Sequence, residues 1–309
     1  MLETFSGARR LARLTTDNRD APRLPVPEEP PSVRICTYNI HACIGVDRRY
    51  DPDRIIAVLR EIDADIACLQ EVDTSPSIGR HADQWAYLAE AIGCRVILGA
   101  AIRDHRRRFG NAILTRLPVL SARALDLTVA YCEPRGAIDA DLLAGERVLR
   151  VIATHFGLRA GERRLQANRL MTALGESSTA SRRKADAVLL MGDLNEWRGR
   201  SGAIRLFDRR LGPSAAERTF PSWMPMLALD RIYAEGPAVL RDISVYRSPL
   251  ARLASDHLPL VGSLSWGARD LRYRERAKLA YRRTRPFVHQ GPAANEDRSH
   301  ASEARRASS

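Results

Sequence analysis

The sequence predicts an α/β protein of the α+β kind, in which two β-sheets pack face to face and helices cover their outer faces. Three observations lead there. Between residues 33 and 267, apolar runs of strand length recur with Gly, Asp, Asn and Pro between them. Helical periodicity is confined to a few segments of that stretch. The apolar runs also close, again and again, on polar side chains that do not belong in a core. A strand-rich chain of this size buries its apolar faces when two sheets share one core and helices shield the outside.

In chain order, "SVRICTYNI" reads as the first strand. Asp51 then offers an N-cap ahead of Pro52, and Ile55, Leu59 and Ile62 fall on one helical face. "DIACLQE" is a short apolar run with a polar end. "DQWAYLAEAIG" is a helix with Gly93 suited to its C-terminus. Strands follow at "CRVILG" and "GNAILTR", then at "GAIDADLL" and "RVLRVIATH", which "AGE" joins as a hairpin. A helix over 161–175 sets Ala167, Leu170, Met171 and Leu174 on one side. "AVLLM", "ALDRIYAE", "LRDISVY" and "PLVGSLSW" complete the strands.

Composition bounds what lies around this body. With 309 residues, 45% hydrophobic and 28% charged, the chain can bury one large core or two modest ones. No run approaches the roughly 18 apolar residues of a membrane span, and the N-terminus lacks a signal-peptide core, so a cytoplasmic home is expected; a monomer is expected as well. Composition predicts a flexible Pro-rich leader over residues 1–32, one periodic folded body over 33–267, and a basic, largely disordered tail over 268–309. The tail carries eleven Arg or Lys against five Asp or Glu, a net +6 of the chain's +12. That charge suits peripheral contact with an anionic membrane at the inner face, or nucleic acid as second choice. Cys36, Cys43, Cys68, Cys94 and Cys132 form no CxxC pair and read as core residues.

The strand ends carry the chemistry. Asn39 and His41, Gln70 and Glu71, His155, Asp193 and Asn195, and Asp230 all follow apolar runs, while Asp256 and His257 precede one. If these ends converge, crowded carboxylates need a cation or a protonated partner between them. Oxygen ligands without cysteine point to a hard ion, Mg²⁺ before Zn²⁺.

With "TYNIH", "LQEVD", "RGNAILTR", "ATHFG", "GDLNEW", "LDRIYA" and "SDHLPLVGSL" in this order over residues 33–264, the sequence resembles the endonuclease/exonuclease/phosphatase superfamily of metal-dependent phosphoesterases. The resemblance implies a four-layer sandwich with helices outside two mixed sheets, and hydrolysis of a phosphate ester by water. It implies Mg²⁺, with Mn²⁺ as substitute, held by Glu71 with Asn39 and Asp256. Asp193 would orient or deprotonate the water and Asn195 hold the phosphate, the strand's period of two turning both to one side. His257 would contact the phosphate or assist proton transfer with Asp230 fixing its tautomer, and His155 would protonate the leaving group or stabilise charge. His41, Arg108, Asn111 and Arg135 are candidate substrate contacts.

His41 stands where DNA-repair members carry an acid, and it is either a pocket residue or a histidine satisfied in its loop. "EPRGAI" and "ATHFGL" followed by "GERRLQ" resemble the bacterial phosphodiesterase and lipid-directed branch, including the GPI-anchor lipid remodelling domain. A phosphodiesterase acting on a lipid-derived or small-molecule phosphodiester is therefore expected. The alternatives are an endo- or exonuclease and a non-catalytic phospholigand-binding member. "RDHRRRFGN" is a phosphate-gripping loop through Arg106, Arg107 and Arg108, or a solvated charge run. Trp85 and Trp223 read as packing residues rather than stacking platforms, and residues 73–83, 103–110 and 197–227 as specificity loops.

Overall fold

The computed structural model describes residues 32–73, 84–103, 108–175, 185–199 and 201–266; the leader and the basic tail lie outside them. The chain runs β1 (Val33–Asn39), α1 (Pro52–Ile62), β2 (Ile66–Asp73), α2 (Gln84–Ile92), β3 (Arg95–Arg103), β4 (Arg108–Thr115), β5 (Val119–Asp126), β6 (Gly136–Ala144), β7 (Arg147–His155), α3 (Ala160–Gly175), β8 (Ala187–Asp193), α4 (Gly202–Leu211), β9 (Asp230–Glu235), β10 (Ala238–Val245), α5 (Pro249–Ala254) and β11 (Leu260–Trp266). One sheet has the order β10-β11-β1-β2-β4-β3 and the other β5-β6-β7-β8-β9. Both are mixed: β1 with β2 and β7 with β8 are parallel, and the other neighbours are antiparallel. A parallel pair needs a crossover, and α1 and α3 supply one each.

Three apolar layers follow from the strands' period of two. Ile35, Cys68, Ile113, Ile138, Val151 and Met191 are among the residues that meet between the sheets. Cys36, Tyr38 and Leu69 turn outward to Ile55, Leu59, Trp85 and Leu88 of α1 and α2. Ile152 and Leu190 face Leu170, Leu174 and Phe207 of α3 and α4. The result is the four-layer arrangement of helix, sheet, sheet and helix.

Local signals hold where they were strong. Asp51 accepts a hydrogen bond from Arg54 N at 3.3 Å and caps α1, and Gly93 follows α2 with a φ of 70°. Residues 197–227 are not one loop. Ser201 accepts from Ile204 N at 3.2 Å, and Ala203, Ile204, Phe207 and Leu211 bury the apolar side of α4. Strand β5 was hidden because "VLSARALD" is a half-exposed edge strand without clean alternation; α5 is a turn and a half capped by Ser248. Gly192 answers to close approach: a Cβ there would lie 1.9 Å from Thr154 O on the neighbouring strand. Gly192→Ala is expected to destabilise the fold by about 3 kcal/mol, read by denaturant unfolding against wild type.

Candidate active site

The two parallel pairs point their C-terminal ends at one rim, where open α/β sheets present ligand sites. In one sheet Asn39 pairs with Gln70, and in the other His155 pairs with Asp193, which pairs in turn with Asp230. Asn39 joins the sheets, its Nδ2 donating to Glu71 Oε1 at 2.9 Å and to Asp193 Oδ2 at 3.1 Å. Asn39, Asp193, Asp230, His155 and His257 are buried, and Glu71 is part-buried. One polar cluster thus gathers residues from β1, β2, β7, β8, β9 and the segment before β11.

Glu71 reaches this cluster through an irregularity in its strand. Leu69 and Val72, three residues apart, both pack in the same outer layer, which strict alternation forbids. The register against β4 shifts between them, and Glu71 takes a φ of 58°. Such a bulge re-aims a side chain, at about 1 kcal/mol of backbone strain for a non-glycine residue.

The pair Asp193 and Asn195 is also placed by a turn, and here the expectation of two alternating strand residues is corrected. Strand β8 ends at Asp193, and Asn195 has a φ of 50°. Asn195 N donates to Asp193 Oδ1 at 2.8 Å, an Asx turn that orients the carboxylate. Asn195 Nδ2 donates to Phe156 O at 2.8 Å and to His155 Nε2 at 3.1 Å. Both its N–H bonds are engaged within the protein, so Asn195 as placed positions His155 and offers no donor to a phosphate.

The two histidines differ in charge. Burial, with the Arg135 guanidinium and His257 acting in the same direction, outweighs the pull of Asp193 and lowers His155 to about 4, so it is neutral at pH 7. Its Nε2 accepts from Asn195, which leaves the proton on Nδ1 and removes the expected donor to a leaving group. His257 is buried too, which alone would lower it. The carboxylates of Asp230 and Asp193 override that and raise it to about 10. Its Nδ1 donates to Asp230 Oδ2 at 2.9 Å, and its Nε2 lies 3.6 Å from Asp193 Oδ2, the same separation as His155 Nε2. Asp193 is raised, by burial first, with His257 acting against it.

Asp256 lies at the cluster's outer edge, with Ser255 Oγ 3.4 Å from its Oδ1. His41 Nδ1 is 3.9 Å from Asp256 but 3.0 Å from Ile44 O; the shorter contact is the hydrogen bond, so His41 is satisfied in its loop beside the pocket. His41, Ala42 and Cys43 form a left-handed turn, with φ values of 47°, 51° and 61°. Asn111 Nδ2 donates across the sheets to Gly136 O at 2.9 Å, and next to it Arg135 pairs with Glu133 while its buried Nε has no partner. Arg106, Arg107 and the Arg108 side chain lie outside the described residues.

Sequence reasoning missed four supports. Thr219 Oγ1 donates to Asp230 Oδ2 at 2.5 Å, and the Phe220 ring sits 4.9 Å from the His257 ring. Ser255 Oγ donates to Asn39 O at 2.7 Å and accepts from His257 N at 3.2 Å. Arg163 and Glu196 form a buried pair at 3.0 Å that ties α3 to the Asn195 loop. Ser255, Glu196 and Arg163 had a signal, their places in "SDH", "GDLNEW" and "GERRLQ"; Thr219 and Phe220 lie in a stretch without periodicity.

A divalent ion was expected on Glu71, Asn39 and Asp256. Glu71 and Asp256 have no Lys or Arg partner among the described residues, and no thiol joins the cluster, so the donors suit a hard cation. Asn39 differs from its expected part: its donor end faces the carboxylates, and its Oδ1 accepts from His41 N at 3.1 Å. Asp193, Asp230 and His257 also offer ligand atoms within 4.8 Å of one another. A His257 that is charged and bonded to Asp230 has no lone pair for a metal, so that trio suits proton transfer. A groove of about 720 Å³ between α3 and α4, lined by Arg164, Arg205 and Arg209, lies on the outer helical layer and contains none of these titratable groups except Glu196.

The chain is 29% identical over 249 residues to "Uncharacterized protein YbhP" of Escherichia coli K12, covering 74% of this chain and 94% of that one. Its fold is similar to an endonuclease/exonuclease/phosphatase from Beutenbergia cavernae (TM-score 0.61, 22% identity, 76% of this chain and 72% of that chain). It is similar also to the human Nocturnin catalytic domain with bound sulfate (TM-score 0.60, 19% identity, 76% and 95%) and to D. rerio TDP2 complexed with single-strand DNA product (TM-score 0.56, 16% identity, 76% and 99%). Matched to the family over residues 36–257, from β1 to His257, the chain belongs to the Endonuclease/Exonuclease/phosphatase family, hydrolytic phosphoesterases and nucleases that generally use a divalent metal.

Proposed function

We propose that this chain is a metal-dependent phosphodiesterase acting on a lipid-derived or small-molecule phosphodiester. The observation that carries the proposal is the setting of Asp193: a buried carboxylate aimed by Asn195 N–H, tied to Asn39, and 3.6 Å from two imidazoles, one neutral and one protonated. Asp193 orients a water and takes its proton as the water oxygen bonds to phosphorus. The His257 imidazolium, backed by Asp230, faces the phosphoryl charge and gives the Nε2 proton to the leaving oxygen as its bond to phosphorus breaks. Arg135, buried and paired with Glu133 at 2.9 Å, adds fixed positive charge close to His155 and so to the phosphate. Glu71 and Asp256 would hold the divalent ion, which when bound offsets charge on a non-bridging oxygen.

The lipid preference rests on the resemblance of "EPRGAI" and "ATHFGL" to the lipid-directed branch, with His41 in place of an acid. The reading includes peripheral contact of the basic tail, residues 268–309, with an anionic membrane. Among the described residues no helix is long and apolar enough to cross a membrane. A nuclease is the second reading, favoured by the DNA product bound to the similarly folded D. rerio TDP2. A panel with Mg²⁺ separates them: bis(4-nitrophenyl) phosphate and glycerophosphodiesters are expected to be cleaved, and plasmid or abasic DNA poorly. Efficient DNA cleavage with no turnover of either diester would favour the nuclease, and no turnover of any substrate the non-catalytic alternative.

A further inference from the structure

Trp223 was expected to pack, as the buried Trp85 does, and it does not. It is 62% exposed, with Met224 at 47% and Met226 at 53%. The three lie on the tip of a small hairpin whose arms meet at Phe220 and Leu227. From Phe220 to Leu229 the sequence "FPSWMPMLAL" holds ten residues without a charge.

The tip is exposed, but its backbone is tied down. Thr219 N and Phe220 N donate to Leu227 O at 3.0 and 3.1 Å, and Met226 N donates to Phe220 O at 2.8 Å. Ser222 N donates to Asp256 O at 2.7 Å, and Arg252 Nη1 donates to Ser222 O at 3.0 Å and to Trp223 O at 3.2 Å. Its root is the site itself, through Thr219 on Asp230 and Phe220 on His257. A folded element that satisfies its polar groups and turns large apolar side chains to water is built to meet something.

Neighbouring strand ends lead the same way. Strands β7, β8 and β9 are adjacent, and Leu194 N donates to Leu229 O at 2.9 Å, so the segments beyond β8 and before β9 leave side by side. The first carries the exposed Trp197 and the second the hairpin, while the segment after β7 carries the exposed Leu158. Exposed arginines, Arg198 and Arg218, flank this apolar set, and Arg163 and Arg198 each lie 5.8 Å from the Trp197 ring. Indole, thioether and guanidinium side chains together suit the boundary between acyl chains and anionic headgroups, which needs no shape complementarity from a partner.

We propose that the Pro221–Met226 tip docks the rim of the site onto an anionic lipid bilayer, presenting lipid phosphodiesters to His257 and Asp193. The inference rests on the phosphodiesterase reading and deepens it. It differs from contact through the basic tail in its response to salt. At 1 M salt the screening length is about 3 Å, so charge-driven binding fades while apolar insertion persists.

The test is sedimentation of the full-length protein with vesicles of phosphatidylglycerol and phosphatidylethanolamine in 1 M NaCl. Wild type is expected to pellet, and the triple variant Trp223→Ser, Met224→Ser, Met226→Ser to partition at least about tenfold less. Thermal unfolding of the variant, expected within a few degrees of wild type because the three side chains are exposed, excludes a folding defect. Vesicles should also blue-shift wild-type tryptophan emission, and the shift should shrink in Trp223→Phe, which keeps its binding. A triple variant that pellets like wild type overturns the proposal. So does a wild type that hydrolyses the soluble diester yet stays in the supernatant, which leaves the phosphodiesterase reading intact. Pelleting without any diesterase activity overturns that reading and leaves the docking. Single-stranded DNA binding that the same triple variant abolishes, with no vesicle binding, would assign the tip to base stacking instead.

Discussion

Asp193→Asn is expected to lower turnover of a soluble phosphodiester by about a hundredfold or more, with little change in KM. The substitution keeps the shape of the side chain and removes the proton acceptor that Asn195 N–H and Asn39 Nδ2 hold in place. His257→Ala should fall in the same range, because it removes the charged group facing Asp193. Asp230→Asn should be milder, since it weakens only the anchor of His257 at Nδ1. The order of the three is the informative result in a kcat series measured on folded protein. Wild-type turnover in Asp193→Asn would show that another group receives the proton of the water.

Chelation by EDTA is expected to abolish hydrolysis, and Mg²⁺ or Mn²⁺ to restore it. Glu71→Gln should reduce activity about as severely at ordinary Mg²⁺ concentrations, and calorimetric titration should show weakened ion binding. The reason is electrostatic: Glu71, like Asp256, has no Lys or Arg partner among the described residues and is only part-buried, so it stays open to a cation, and its exchange for an amide removes a full negative charge from a hard-ion site. Circular dichroism separates this from misfolding. Full activity in excess chelator would remove the metal from the mechanism.

What could be read from the sequence was local or periodic. Asp51 and Pro52 announce α1, "AGE" announces the β6–β7 hairpin with Gly145 at a φ of 62°, and the apolar alternation announces the strands between two packed sheets. The polar strand ends were legible as a set too, and Asn39, Glu71, His155, Asp193, Asp230 and His257 do lie together. How they face one another was not. Glu71 depends on a bulge that exists only in register with β4, and Asn195 on a turn that competes with continuing the strand. The charge states of His155 and His257 depend on burial and on neighbours distant in sequence. Trp223 shows the limit most plainly, since nothing in a tryptophan's immediate sequence tells a core position from a hairpin tip.

Asn39 and Asp193 come from opposite sheets, and this makes the reaction centre a gauge of the gap between them. That gap is set by side chains such as Ile35 and Met191, which occupy the shared core close to those two residues in the chain. Most cores tolerate an added or deleted methylene so long as the protein still folds. Here the layers must also hold a proton acceptor and its donors to within about half an ångström. Neutral drift in the inter-sheet core of this protein is therefore confined to volume-conserving exchanges. A variant library scored for activity should reject core substitutions that the same library scored for solubility accepts.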